Sequence, residues 1–293
     1  MKKLLLASAV ATGLGLSGQA AADRIALVIS TLNNPFFVTL QEGAEAKAEA
    51  LGHELIVLDS GNDAARELSN VEDALSRDID ALLLNPTDAD AAASGVRSAN
   101  ARNVPVITLD RSASAGRVAS HIASDNVAGG RLAGEFVAER LGGEGRVVQL
   151  EGVPGASATR DRGEGFVAAL DDAEGLELAA SQPANFNRSE GLNVMENLLQ
   201  AHAELDAVFA QNDEMALGAQ RALQANGRED LVLVGFDGTD AGIQAVEDGQ
   251  LDATVAQQPG RIGELGVATA DALLAGESVA ASIPVPLKLI VRD

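Results

Sequence analysis

Cysteine is absent from the 293 residues, and so are tryptophan and tyrosine. A chain without cysteine has no disulfides, no thiolate metal sites and no thiol nucleophile. Exported, it must hold its fold by its core alone, which about 270 residues can do. Histidine is nearly absent too. His53, His121 and His202 lie in separate segments without ligand spacing, which argues against a histidine metal site or a histidine-based triad. Phosphate and dinucleotide motifs are missing. Ala128-Gly129-Gly130 and Leu141-Gly142-Gly143-Glu144-Gly145 do not match G-x-G-x-x-G between a strand and a helix, and no G-x-S-x-G elbow occurs. Past residue 22, no run is long and apolar enough to span a bilayer.

Residues 1–22 stand apart. Lys2-Lys3 is a positive start, Leu4 to Leu16 an apolar stretch, and Ala20-Ala21-Ala22 an A-x-A site. This reads as a secretory signal cleaved after Ala22, leaving a soluble periplasmic protein. The formal charge is −22; without Lys2 and Lys3, 19 basic residues face 43 acidic ones, a net −24. The only lysines left are Lys47 and Lys288. Such a field repels nucleic acid and anionic membrane. It serves solubility or, alternatively, life at high salt, where the charges are screened.

Apolar residues make up 46% of the chain, enough to fill a sizeable core. Strand-like runs alternate with helical patterns throughout, as in βαβ units with parallel sheets. Strands are read at 24–30, 53–59, 81–85 and 106–109, with 118–123 as a fifth strand or a crossing segment. Helices are read between them at about 35–51, 63–77 and 88–103. The second half repeats the scheme. Its strands are read at 146–151, 176–180, 207–211, 231–236 and 253–256, and its helices at about 126–141, 157–171, 188–203, 213–226 and 239–248. A last helix, about 260–274, precedes the apolar run Val285–Val291. The expected fold is α/β: two doubly wound parallel-sheet lobes with a cleft between them.

In open parallel sheets, ligands bind beyond the carboxyl ends of the strands. Here those ends carry Asn34, Asp59, Asn85, Asp110-Arg111, Asn212-Asp213, Asp237 and Gln257. Asn and Asp also make turns and caps, so each taken alone has a plain local reading. Asn34-Pro35 is such a helix start, and Phe36 and Phe37 after it serve either a core or a ligand wall. Arg160 and Arg162 enter a helix after Gly152-Val153-Pro154-Gly155, and an Arg in the first turn is unfavourable for the helix dipole, which gives a ligand role some appeal. Phe186 lies in a polar loop, and Asp237 in a Gly-Phe-Asp-Gly turn. Apolar rings with convergent planar polar groups suit a sugar, whose CH faces pack on rings while its hydroxyls donate and accept.

Long segments carry a resemblance. They include Ile29-Ser30-Thr31-Leu32-Asn33-Asn34-Pro35-Phe36-Phe37, Leu84-Asn85-Pro86-Thr87-Asp88, Pro105-Val106-Ile107-Thr108-Leu109-Asp110-Arg111 and Ser120-His121-Ile122-Ala123-Ser124-Asp125-Asn126. Arg162-Gly163-Glu164-Gly165-Phe166, Ala210-Gln211-Asn212-Asp213-Glu214-Met215 and Val234-Gly235-Phe236-Asp237-Gly238 continue it. On these residues the chain resembles the periplasmic ribose-binding family of bacterial ABC importers, whose fold is the type I periplasmic binding protein. The resemblance implies a binding protein, not an enzyme, with no catalytic residues, metal or cofactor. It implies a D-ribose site made of Asn34, Phe36, Phe37, Asp110 and Arg111 from one lobe, with Arg162, Phe186, Asn212, Asp237 and Gln257 from the other lobe and hinge. The rings would sandwich the sugar, and Asp237, ionised, would accept from its hydroxyls. It further implies one lobe of residues 23–124 plus about 258–286 and another of 125–257 plus 287–293. The implied partners are an ABC permease with its ATPase, and a chemoreceptor as a candidate further reader of the closed form; the protein would act as a monomer. Another pentose, a hexose or a furanose signal molecule remains an alternative ligand. The effector domain of a sugar-responsive repressor is a third reading, weakened because its basic helix-turn-helix is missing.

Overall fold

The computed structural model describes residues 22–292, so the expected signal segment lies outside the described residues except for Ala22. The first half runs β1 (Arg24–Ile29), α1 (Pro35–Leu51), β2 (Glu54–Asp59), α2 (Ala64–Ser76), β3 (Ala81–Leu84), α3 (Ala89–Ala101), β4 (Val106–Leu109) and β5 (Ser120–Ala123). The second runs α4 (Asn126–Leu141), β6 (Glu144–Glu151), α5 (Ser157–Asp171), β7 (Gly175–Pro183), α6 (Arg188–Ala201), β8 (Ala207–Ala210), α7 (Asp213–Ala225), β9 (Val232–Asp237), α8 (Asp240–Glu247) and β10 (Ala253–Ala256). The chain ends with α9 (Pro259–Leu274), β11 (Ser282–Pro284) and β12 (Lys288–Val291).

These strands form two six-stranded sheets, β11-β5-β4-β3-β1-β2 and β12-β10-β9-β8-β6-β7. Each is apolar on both faces, which explains the unbroken hydrophobic runs of the strands. In β3, Ala81 and Leu83 join the core under α1 and α9, while Leu82 and Leu84 join the opposite core under α2 and α3. The second lobe likewise has a core on each face of its sheet. Fully burying one such leucine stabilises the fold by about 1.5–3 kcal/mol.

The chain passes between the sheets three times, after β5, after β10 and between β11 and β12. The run 285–291 is thus not one element. β11, unread in the sequence, extends the first sheet parallel to β5, and residues 285–287 cross to the second lobe. There β12 lies antiparallel to β10, departing from the expected all-parallel sheet. The reason is geometric: β10 leaves its sheet at the crossing, and β12 enters at that same end. The segment 118–123 resolves in favour of a strand, β5, between β4 and β11.

Candidate functional site

Strand carboxyl ends of both sheets face each other across the inter-lobe cleft. Asn34 caps α1, its Oδ1 accepting from Phe36 N at 3.0 Å, and Pro35 takes the first helical position. That start turns Phe36 and Phe37 inward, with ring centroids 5.1 Å apart and nearly perpendicular. Both rings belong to the core of the first lobe and also line a cavity. The two readings of this pair were therefore not exclusive.

The cavity lies between the lobes and is nearly filled by its own lining, with about 10 Å³ left free. Asn34, Phe36, Phe37, Asp110 and Arg111 line it from the first lobe, and Ala158, Arg162, Phe186 and Asp237 from the second. All ten residues expected at the site are buried. Two of them stand behind the wall. Asn212 caps α7 through Oδ1 to Met215 N and reaches the Phe186 carbonyl with Nδ2 at 3.5 Å. Gln257 donates from Nε2 to Asp237 Oδ1 at 3.0 Å. Other candidates fall away. Arg160 is exposed and pairs with Asp161, Asp59 lies at an exposed strand end, and Asn85 is buried scaffolding that bonds Ser30 and the Leu109 carbonyl.

Two guanidinium groups organise the cavity. Arg111 lies 5.0 Å from the Phe37 ring centroid and 5.1 Å from that of Phe186, so it touches aromatic walls of both lobes. Arg162 sits 3.8 Å over the Phe236 ring, donates Nε to Asn126 Oδ1 at 2.8 Å, and places Nη1 3.3 Å from Asp237 Oδ1. Burial raises Asp110 above the usual carboxylate range, with Arg162 and Arg111 pulling the other way. Burial pushes Asp237 up to about 7 against the pull of Arg162. Burial thus works against the ionised Asp237 expected from the sequence, and Arg162 works for it. Asp110 Oδ1, Arg111 Nε and Gln257 Oε1 are buried without a hydrogen-bond partner in the protein. Buried polar groups in this state call for a partner of matching donors and acceptors.

Backbone strain concentrates here. Asp110 (φ 61°), Phe186 (φ 55°) and Asp237 (φ 109°) all occupy positive φ. Each such residue costs about 1–3 kcal/mol and persists where its surroundings impose it. Gly152 is one reason Phe186 can do so, since a Cβ there would collide with the Phe186 ring. Gln211 Oε1 holds Gly152 N at 2.9 Å. Gly152, Gln211, Asn126 and Ala158 were not singled out in the sequence, because their roles come from contacts between distant segments. Among the described residues no group of three His, Cys, Asp or Glu could hold a metal ion, and no helix is long and apolar enough to cross a membrane.

Comparison with known proteins fits this geometry. Residues 25–278 match the periplasmic binding protein domain family. A ribose import binding protein of Haemophilus influenzae is 57% identical over 292 residues, covering 99% of each chain. The ribose import binding protein of Escherichia coli is 56% identical over 295 residues, covering 100% of this chain and 99% of its own. Among solved structures, an ABC transporter solute-binding protein of Bacillus halodurans with bound myo-inositol superposes with a TM-score of 0.89 at 33% identity, covering 94% of this chain and 96% of its own. The chain therefore belongs to the periplasmic binding protein family, whose members here are solute-binding components of ABC importers and not enzymes.

Proposed function

We propose that this protein captures D-ribose between its two lobes in the periplasm and delivers it to an ABC permease coupled to its ATPase. The observation that carries the reading is the inter-lobe cavity walled by Phe36, Phe37 and Phe186, with Asp110 Oδ1 and Arg111 Nε of its lining buried and unpartnered. The ribose import relatives above, 56–57% identical over nearly the whole chain, support the substrate. The lobes would divide as 23–124 plus 258–286 and 125–257 plus 287–293, with the three crossings as hinge. Phe36, Phe37 and Phe186 would pack on the sugar's CH faces. Asn34, Asp110, Arg111, Arg162, Asn212, Asp237 and Gln257 would bond or orient its hydroxyls. Cleavage after Ala22 would release a monomer, and a chemoreceptor would be a further reader of the closed form.

Calorimetric titration of the mature chain with D-ribose, other pentoses and hexoses tests the reading. Ribose should bind most tightly. Tighter binding of a hexose would overturn the substrate assignment while leaving a sugar-binding protein; no heat with any sugar would overturn both.

A further inference from the structure

We propose that Asp213 is a positioning residue for ligand capture: its carboxylate locks together the strand ends that carry Asp237 and Gln257. The inference rests on the sugar-binding reading above and deepens it. Asp213 opens α7 beside Asn212 and is fully buried, yet it pairs with no cation among the described residues. Its oxygens are taken by donors from two other elements. Oδ2 accepts from Thr239 N at 2.7 Å and Thr239 Oγ1 at 2.9 Å, and Oδ1 accepts from Thr254 Oγ1 at 2.7 Å. Thr239 follows Asp237 across a single glycine, and Thr254 lies on β10 three residues before Gln257. The surrounding chain leaves room for this carboxylate: a Cβ at Gly235 or at Gly242 would run into it.

The strand end it grips does not hold its shape unaided. Asp237 at φ 109° and Gly238 at φ 68° make a turn that L side chains rarely adopt, and such a turn persists only where its surroundings impose it. Gln257 N bonds the Asp237 carbonyl at 2.9 Å, so a bond to Thr239 and one to Thr254 fix the pair from both sides. An apolar residue would fill this space without the cost of burying a carboxylate. That cost is visible, since burial pushes Asp213 up to about 6. The groups packed on it are Gly235 from β9, Thr239 and Gly242 at the start of α8 and Thr254 from β10. The Asp213 charge adds to burial in holding Asp237, the partner of Arg162, high.

The test compares wild type, Asp213→Asn and Thr254→Val. Asparagine keeps the volume but turns an amino group toward a donor; valine keeps the shape of Thr254 and removes its hydroxyl. D-ribose titration should show at least tenfold weaker binding for Asp213→Asn and at least threefold for Thr254→Val. In sugar-free protein, carbon-13 NMR of the Asp237 carboxyl should show it titrating at lower pH in Asp213→Asn, because a neighbouring negative charge is gone. Wild-type affinity in both variants overturns the proposal. So does weakened binding with the Asp237 titration unmoved, which would mean a loosened lobe. If Asp213→Asn does not fold, unchanged ribose binding by Thr254→Val overturns the proposal. If wild type binds no sugar, the functional reading fails, and the sugar-free titration still judges Asp213.

Discussion

Asp237 meets two opposed demands. In the proposed site it is buried to meet a sugar, and burial pushes it up to about 7 even with Arg162 3.3 Å away. A carboxylate accepting from sugar hydroxyls is worth roughly 1.5–3 kcal/mol per charged hydrogen bond, so Asp237→Ala should weaken ribose binding about ten- to more than a hundredfold. Phe186→Ala should also weaken it, through lost wall area. Asp59→Ala and His202→Ala, remote from the cavity, should stay within about threefold, roughly 0.6 kcal/mol. Titration of each folded variant checks all four. The raised pKa also sets a sign for stability. The folded protein keeps a proton on Asp237 that an unfolded chain releases near 3.8, so this group's contribution falls as pH rises from about 4 to about 7. Sugar-free Asp237→Asn should therefore melt above wild type at about pH 8, with the gap closing toward about pH 4. Equal melting temperatures at both pH values would contradict the burial argument.

At the scale of elements, the loop between β6 and α5 closes the cleft without touching its cavity. Gly155 O accepts from Ala89 N at 3.0 Å, and Ser157 Oγ accepts from Ser112 N at 2.9 Å, both bonds joining the two lobes. Gly155 has φ 87°, and a Cβ there would strike the Asp88 carboxylate that caps α3. Gly155→Ala should thus disfavour the closed form and lower ribose affinity about five- to fiftyfold, since apparent affinity scales with the closed fraction. Stopped-flow fluorescence with a dye on the cleft rim should place the loss mainly in faster release; unchanged affinity would show that this contact does not govern closure. Such contacts explain what the sequence withheld. The helices were legible because their apolar spacing is set locally: α1, α4 and α5 begin and end where the pattern places them. β11 was not, being three residues at a sheet edge, two of them exposed, ending in proline. Asn34 and Asn212 were ambiguous for a physical reason: each caps a helix, while Asn34 also lines the cavity and Asn212 reaches the carbonyl of the lining Phe186. Gly152, Gly155 and Asn126 act on partners 34 or more residues away or in the other lobe, which no local pattern reports.

At the scale of the molecule, a formal charge of −22 over the full sequence should oppose compaction at low ionic strength. The Debye length shrinks to about 3 Å at 1 M salt, so melting temperature should climb by several degrees from low to molar NaCl. A flat or falling series would assign the acidity to solubility alone. Among the described residues the two lobes are linked covalently by three crossings of the chain. A ligand that contacts both lobes shifts their equilibrium by its differential affinity for the closed state. Small-angle scattering of the mature protein with and without D-ribose tests this most directly. The radius of gyration should fall on adding ribose and saturate at the concentration where calorimetry saturates; an unchanged profile at saturating ribose would contradict capture by closure.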